Sequence, residues 1–486
     1  DRRVLEASRM QMLRILTWSL SGFDSPNLHS LQDASISFSS IVESLSKYDQ
    51  LIELEDESLA ADMRSKLKFA QIYLNENQDF NSFDRAFFHR EYLNPLYRLI
   101  KDAHVSMGFE TYYETNKLGT KFSTNYFADS YFDEDFLTKE YYTRAPKNKL
   151  LNEDVIELGR TLFFDPVLSA NNKRSCASCH QPEKAFTDGL TKSMAMDFKG
   201  TVNRNAPTLV DAVFADRYFY DLRSMFLEDQ IDHVVADHRE FATTFITITN
   251  KLEQSNEYKQ MFANAFADMP EKYIISKASV EMAIAAYVAS LTSFNSPFDQ
   301  YMRGEIDHIE PAVKNGFNLF MGKAACGTCH FPPVFNGLVP PLYQESETEV
   351  LGVPVDTDTI NPKIDPDLGR ANGVALEKSD IYYHSFKTVT VRNAALTAPY
   401  MHNGVYRTLE EVMDFYNKGG GQGMGIDVPN QTLPPDQLDL TEPEKNDIIA
   451  FIESLTDTTE LLTKPSQLPE FEGKVEWNNR VIGGEY

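Results

Sequence analysis

Residues 176–180 read Cys-Ala-Ser-Cys-His and residues 326–330 read Cys-Gly-Thr-Cys-His; these two stretches hold all four cysteines of the chain. Two thiols at C-x-x-C spacing followed at once by an imidazole form the pattern that attaches a c-type haem. The thiols add to the two vinyl groups of one porphyrin, and the adjacent His180 or His330 is then held beneath the iron as its proximal ligand. Three other uses of such cysteines compete: a zinc ribbon, a thioredoxin-like redox pair and a disulfide framework. Zinc would pair the two C-x-x-C units within a short module, whereas His180 and His330 stand 150 residues apart. No βαβ pattern surrounds either stretch, and each pair is followed directly by His. The residues therefore imply two covalently attached haem c groups, one held by Cys176, Cys179 and His180, the other by Cys326, Cys329 and His330.

Such sites need helices around them, and the chain is long enough to supply several. At 486 residues it exceeds one simple core, so two or three domains are expected. Residues 1–110 carry helical apolar spacing in "VLEASRMQMLRILTWSL", "LQDASISFSSIVESLSKY", "ESLAADMRSKLKFAQIYL" and "SFDRAFFHREYLNPLYRLIKDAHVSM". Short polar breaks between them predict an up-and-down helical bundle, with Trp18 and His89 as core or boundary residues. Residues 111–146, rich in Tyr, Asp, Asn and Thr without a steady period, read as an ordered connector. A first cytochrome c-like domain over 147–305 and a second over 306–486 follow, each motif expected to open or precede a helix. The fold class is thus mainly α: two cytochrome c-like haem domains preceded by an N-terminal helical bundle. "SVEMAIAAYVASLTSF" and "TEPEKNDIIAFIESL" are further helices, the latter with Thr441 as N-cap and Glu442 and Glu444 in its first turn, where the helix dipole favours them. Residues 332–372, rich in Pro, Asp and Gly, read mainly as loop.

The formal net charge of −26 argues against nucleic acid, which needs a dense Lys/Arg field, and would steer a basic protein partner favourably. No window approaches a membrane span. The opening "DRRVLEASRM" has no basic-then-apolar leader. Covalent haem attachment resembles what exported cytochromes undergo, so a periplasmic or otherwise extracytoplasmic location is expected.

A two-haem chain either carries electrons only or uses one iron to activate peroxide. An electron carrier saturates both irons with protein ligands, whereas a peroxidase keeps one face open beside acid/base groups. Several stretches bear on the choice: "CASCHQPEKAFTDG", "RNAPTLVDAVF", "YFYDLRSMFLEDQ", "FKTVTVRNAALTAPYMHNG" and "TLEEVMDFYNKGG". In order and spacing this set resembles the bacterial dihaem cytochrome c peroxidase and MauG family over about residues 147–457, leaving the N-terminal bundle outside.

The resemblance implies that the first haem is the peroxide site, with Gln230 and Glu240 above it. Glu240 would accept a proton from the attacking peroxide oxygen and return it to the leaving one. Family peroxidases that need reductive activation carry a distal His where "TKSMAMDFKG" stands here, and no His lies between His180 and His233. The first haem is then either five-coordinate, as in MauG-like members, or ligated by Met194 or Met196; the open site is the favoured reading. On the second haem, peroxidases place Met fourteen residues after the His of "PY-x-H-x-G", and MauG-like members place Tyr; His402 plus fourteen is Tyr416. A tyrosinate oxygen is a hard anionic ligand that stabilises ferric and higher states. Met413 is the competing ligand. Between the haems the family's usual Trp is replaced by Tyr220, which can relay an electron but loses a proton when oxidised.

The family's calcium site matches Asn205 and the backbone carbonyls of Thr397 and Pro399, an oxygen set suited to a hard cation. Arg204, Arg392 and His402 fall in the same motifs and are candidates for haem propionates or the inter-haem network. His233, His238 and His384 read as ordinary polar residues, although His238 stands close enough in sequence to influence Glu240. The expected partners are hydrogen peroxide and an electron-donor or substrate protein: a small cytochrome c, a copper protein, or a partner whose side chain is modified. The competing function is a non-enzymatic dihaem electron carrier.

Overall fold

The apolar stripes at the start of the chain close into a ring of four helices, α1 (Arg2–Arg14), α2 (Ser30–Ser46), α3 (Glu57–Glu76) and α4 (Asn94–Ser106), in which α1 and α3 each touch both α2 and α4. On α2 the buried residues Leu31, Ala34, Phe38, Ile41 and Leu45 repeat at the helical interval, as a helix facing a core requires. The Asp56 side chain accepts from the Leu59 N–H at 3.0 Å and starts α3. This computed structural model describes residues 2–21, 29–116, 121–373, 377–458, 461 and 463–486, so part of the connector (117–120) lies outside the described residues.

Two wider, π-helical turns interrupt the bundle, Ile15–Ser19 after α1 and His89–Leu93 before α4. His89 is fully buried between the Tyr131 and Phe317 rings, and burial pushes its imidazole down to about 3, so it is a neutral core residue.

The remainder is built on two helix crossings of the same design. In the first, α5 (Glu153–Phe164) crosses α7 (Lys277–Ser290); in the second, α8 (Pro311–Met321) crosses α10 (Glu442–Ser454). Between α5 and α7 in the chain lies α6 (Leu227–Ala236), and between α8 and α10 lies α9 (Leu409–Asn417). A Cβ on Gly159 would lie 1.8 Å from the Ala283 carbonyl oxygen, and one on Gly316 would lie 1.9 Å from that of Asp447. Only glycine lets the backbones approach this closely, and both crossings use it at the point of contact. One turn beyond, Phe163 packs on Tyr287 and Phe320 on Phe451, each at 5.1 Å between ring centroids. Thr441 caps α10 as expected, its side chain accepting from the Glu444 N–H.

Sheet structure is minor: β1 (Thr348–Val350) pairs antiparallel with β2 (Ser385–Lys387), Thr348 opposite Lys387. Helix dominates, as a mainly α chain should. The segment after α10 does not stay with the second crossing. It returns to the first, where Arg480 forms a two-point ion pair with the fully buried Asp165 at 2.6 and 2.7 Å.

Candidate functional site

Both cysteine stretches fold identically at the backbone. Cys176–Ser178 and Cys326–Thr328 are single 3-10 turns, with the His180 N–H donating to the Cys176 carbonyl at 3.0 Å and the His330 N–H to that of Cys326 at 2.9 Å. Each motif forms a 3-10 turn rather than the start of an α-helix; the long helix of each unit, α5 or α8, comes before it, and α6 or α9 follows it in the chain. The reason is the tether that follows. A short bridge pairs Gln181 with Thr187 and Phe331 with Asn336, folding the chain back under the histidine.

That fold-back supplies each imidazole with a carbonyl. His180 Nδ1 lies 3.0 Å from the Phe186 oxygen and His330 Nδ1 lies 3.2 Å from the Phe335 oxygen. A carbonyl only accepts, so Nδ1 carries the proton and Nε2 keeps its lone pair, the state a metal ligand needs. Burial favours the same neutral form, lowering His180 and bringing His330 down to about 4. Phe186 and Phe335 hold left-handed backbone, φ 58° and 53°, although both are bulky and fully buried. Such strain persists only where the surroundings over-determine it. The surroundings are the helix crossings: Phe186 packs on Phe163 and Phe335 on Phe320. Sequence reasoning missed both residues; an aromatic five or six positions after each motif His was the available signal.

A cavity of about 950 Å³ opens beside the first stretch. Cys176, Cys179 and His180 line it, and so do Gln230, Glu240 and Tyr220. Gln230 sits on α6, and Glu240 follows on the turn that ends it. Burial raises the Glu240 carboxyl to about 7; the Asp237 charge adds to the rise and Arg223 opposes it. His238 contributes no such effect: its side chain is 83 % exposed. Arg223, Asp237 and Lys387 share the cavity wall and were not singled out from sequence. Met194 lines the cavity through a short turn whose ends bridge Met194 to Thr201; Met196 is not among its lining residues. Tyr220 is fixed from β2, its carbonyl accepting from the Lys387 N–H at 2.7 Å, and burial holds its phenol well above the ordinary value.

Asn205, Thr397 and Pro399 line the same cavity. The Asn205 N–H donates to the His402 carbonyl and its Nδ2 to the Leu190 carbonyl, both at 2.8 Å, which leaves Oδ1 as the remaining acceptor. Arg204 is committed within the protein, paired with Asp367 at 2.7 and 2.9 Å and with Asp221 at 2.7 Å. Arg392 is not a cavity residue. It and Asp299 are both fully buried and paired at 2.7 and 2.8 Å, and its other N–H groups go to the Pro333 and Ser293 carbonyls. It is a buried strut that ties its own segment to the 293–299 stretch, whose Phe298 packs on Phe317 and Phe451 of the second crossing. His402 stacks on Phe386 at 3.7 Å, with Nε2 3.4 Å from Asp365.

The second stretch lies away from this cavity. Tyr416, on α9, packs with Val353, Tyr406 and Phe415, and burial raises its phenol far above the usual range, helped by the nearby thiols of Cys326 and Cys329. Met413, one turn earlier, is only 3 % exposed and belongs to the main core. Glu347 and Glu349 stand close enough to Cys329 to help burial push that thiol up to about 12.

The residues present fit two haem c groups: paired thiols, a neutral imidazole with Nε2 available, and a cavity of the right size class beside the first. The comparisons agree. The family model described as di-haem cytochrome c peroxidase matches residues 153–307. Cytochrome-c peroxidase IdrP2 of Denitromonas iodatirespirans is 31 % identical over 346 residues, covering 67 % of this chain and 88 % of that protein. Methylamine utilization protein MauG of Methylorubrum extorquens is 30 % identical, covering 67 % and 84 %. Among solved structures, a MauG-like protein associated with microbial copper homeostasis superposes with a TM-score of 0.59 at 30 % identity, covering 68 % of this chain and 97 % of that one. The diheme peroxidase BthA from Burkholderia thailandensis, at 21 % identity and a TM-score of 0.52 over 68 % and 91 %, shares the fold.

Proposed function

Because this chain belongs to the dihaem cytochrome c peroxidase and MauG family of oxidoreductases, we propose that it reduces hydrogen peroxide at the site built on Cys176, Cys179 and His180 and draws electrons through the site built on Cys326, Cys329 and His330 from a partner protein. The observation that carries this reading is Glu240, a carboxyl raised to about 7 in the cavity that His180 lines. When bound, the first haem supplies an iron that takes up peroxide and delivers electrons to it. Glu240, poised between its two protonation states near neutrality, receives the proton of the attacking oxygen and gives it to the leaving one. Gln230 offers an amide that can donate to the bound oxygen without changing charge. Tyr220, on the same cavity wall, is the electron relay of this reading.

In this reading Tyr416 would ligate the second haem, the iron taking the place of the proton that burial otherwise holds on the phenol, and the resulting anionic oxygen suits storage of oxidising equivalents. This supports the MauG-like variant, in which a partner's side chain is oxidised, alongside turnover with a small cytochrome or copper protein. A calcium ion at Asn205, Thr397 and Pro399 belongs to the same reading, supported by their shared position on the cavity wall. So does an extracytoplasmic location, supported by the covalent attachment chemistry; among the described residues no helix is long and apolar enough to cross a membrane.

Absorption and EPR spectra of the ferric holoprotein, before and after one equivalent of peroxide, test the reading. A high-spin signal that peroxide removes is expected. A wholly low-spin spectrum without response would leave the plain electron carrier as the function. Glu240→Gln should slow peroxide cleavage by about 10²–10⁴-fold.

A further inference from the structure

The N-terminal bundle reaches the second haem site through a π-helical turn. That turn, Ile15–Ser19, lies against the Cys326–Thr328 turn, where two thioethers would hold the porphyrin edge. The docking is specific: the Ala86 N–H donates to Asn318 Oδ1 on α8 at 2.9 Å, and Lys314 pairs with Asp84 at 2.5 Å.

At the contact stands Trp18, one of only two tryptophans in the chain. Its ring lies 5.7 Å from that of Phe331, the residue bonded directly to His330. Its Nε1–H donates to the Pro340 carbonyl at 3.3 Å. The other side of the indole is partly exposed in an open cleft of about 420 Å³, bordered by Gln11, Arg14, Ser19, Pro340 and Pro341. An oxidisable ring therefore touches both solvent and the residue next to the proximal ligand. π-helical turns recur at functional sites, and this one turns Trp18 toward the motif.

We propose that Trp18 is the one-electron relay between an external donor and the second haem site, a role that rests on the peroxide-reducing function proposed above. Trp18 gives one electron inward and becomes a radical cation. Its Nε1–H faces the Pro340 carbonyl, which cannot take the proton, so the proton stays on the ring and only the electron moves. A one-electron donor at the cleft then restores the indole. Two such passages supply the two electrons that, with two protons, convert one hydrogen peroxide to two waters.

The test uses the holoprotein carrying Trp477→Phe, so that Trp18 is the sole tryptophan, and one equivalent of peroxide without added donor. Freeze-quench EPR should show a tryptophan-type radical, and peptide mass spectrometry should find oxygen added at Trp18. Trp18→Phe should abolish both signals and slow the decay of the peroxide-induced absorbance change by about tenfold or more. Trp18→Tyr, an oxidisable ring of similar placement, should restore much of the decay rate, which a merely structural role would not. An unchanged decay in Trp18→Phe with no modification at Trp18, while the peroxide response itself is intact, overturns the relay alone. No absorbance response to peroxide in any variant overturns the relay together with the peroxidase reading. Equal haem content in all variants, measured by the pyridine haemochrome spectrum, excludes misfolding as the cause of a lost signal.

Discussion

Glu240 hangs from Asp237: its backbone N–H donates to the Asp237 carbonyl at 3.1 Å, so the two carboxylates share one tight turn at the end of α6. Burial raises Glu240 to about 7 and the Asp237 charge pushes the same way. A proton acceptor works only when ionised, so the rate of peroxide cleavage should rise with pH through about 7 and flatten above it. Asp237→Asn removes the neighbouring charge, favours the ionised form and should move this limb to lower pH. Arg223→Gln removes the opposing cation and should move it to higher pH. Stopped-flow pH profiles of the three proteins check the order, and a limb that ignores Asp237→Asn would assign it to another group.

Tyr416 and Met413 lie one turn apart on α9; Tyr416 is close enough to Cys326 and Cys329 for their charges to act on it, while Met413 belongs to the main core. Tyr416→Phe should change the ligand-field bands of one haem and leave the other intact. Met413→Leu conserves volume in the core and should cost less than about 1.5 kcal/mol without changing the spectrum. The opposite pattern in absorption and EPR would make Met413 the ligand.

Gly316 has no room for a methyl group, its added Cβ falling 1.9 Å from the Asp447 oxygen and 2.8 Å from the Phe451 Cβ. Gly316→Ala must force α8 from α10, at a cost of about 1–3 kcal/mol or more. Because Phe320 on α8 packs on Phe335, whose carbonyl holds His330, the same variant should broaden the spectrum of the second haem. Thermal melts and EPR line widths of Gly316→Ala beside Gly159→Ala read both effects, each confined to its own unit.

Calcium removal should act through Asn205. Its Oδ1 is the side-chain oxygen available at a cavity wall shared with Thr397 and Pro399. A chelator should slow the peroxide reaction of the wild-type protein, added Ca²⁺ should restore it, and Asn205→Ala should show the slow rate with no response to either. Titration calorimetry reads the binding directly.

The sequence alone carried the chemistry that depends on local spacing. Cysteine pairs, the following histidines, the helical stripes of α1–α4 and the Thr441 cap are properties of neighbouring residues, and each stands where its spacing implied. The supports came from far away. The strained backbone of Phe186 is held by Phe163 on α5, and the close approach at Gly159 exists because Ala283 lies opposite, more than a hundred residues on. Arg392 has a motif position that implies a role near the haems, yet its ion pair with Asp299 makes it a strut; only the partner in space distinguishes the two. The π-helical turns break the regular interval that sequence periodicity detects, and so were invisible to it.

Both cysteine turns are covered in the folded chain. The last residues lie over the first, with Ser178 Oγ donating to the Gly483 carbonyl at 3.0 Å and the Tyr486 hydroxyl to the Ala177 carbonyl, while the bundle lies over the second. These coverings hold the backbone of each turn, while Cys176 and Cys179 line the cavity and all four cysteines stay partly exposed, so the thiols of the first turn remain reachable from the cavity side in the folded chain.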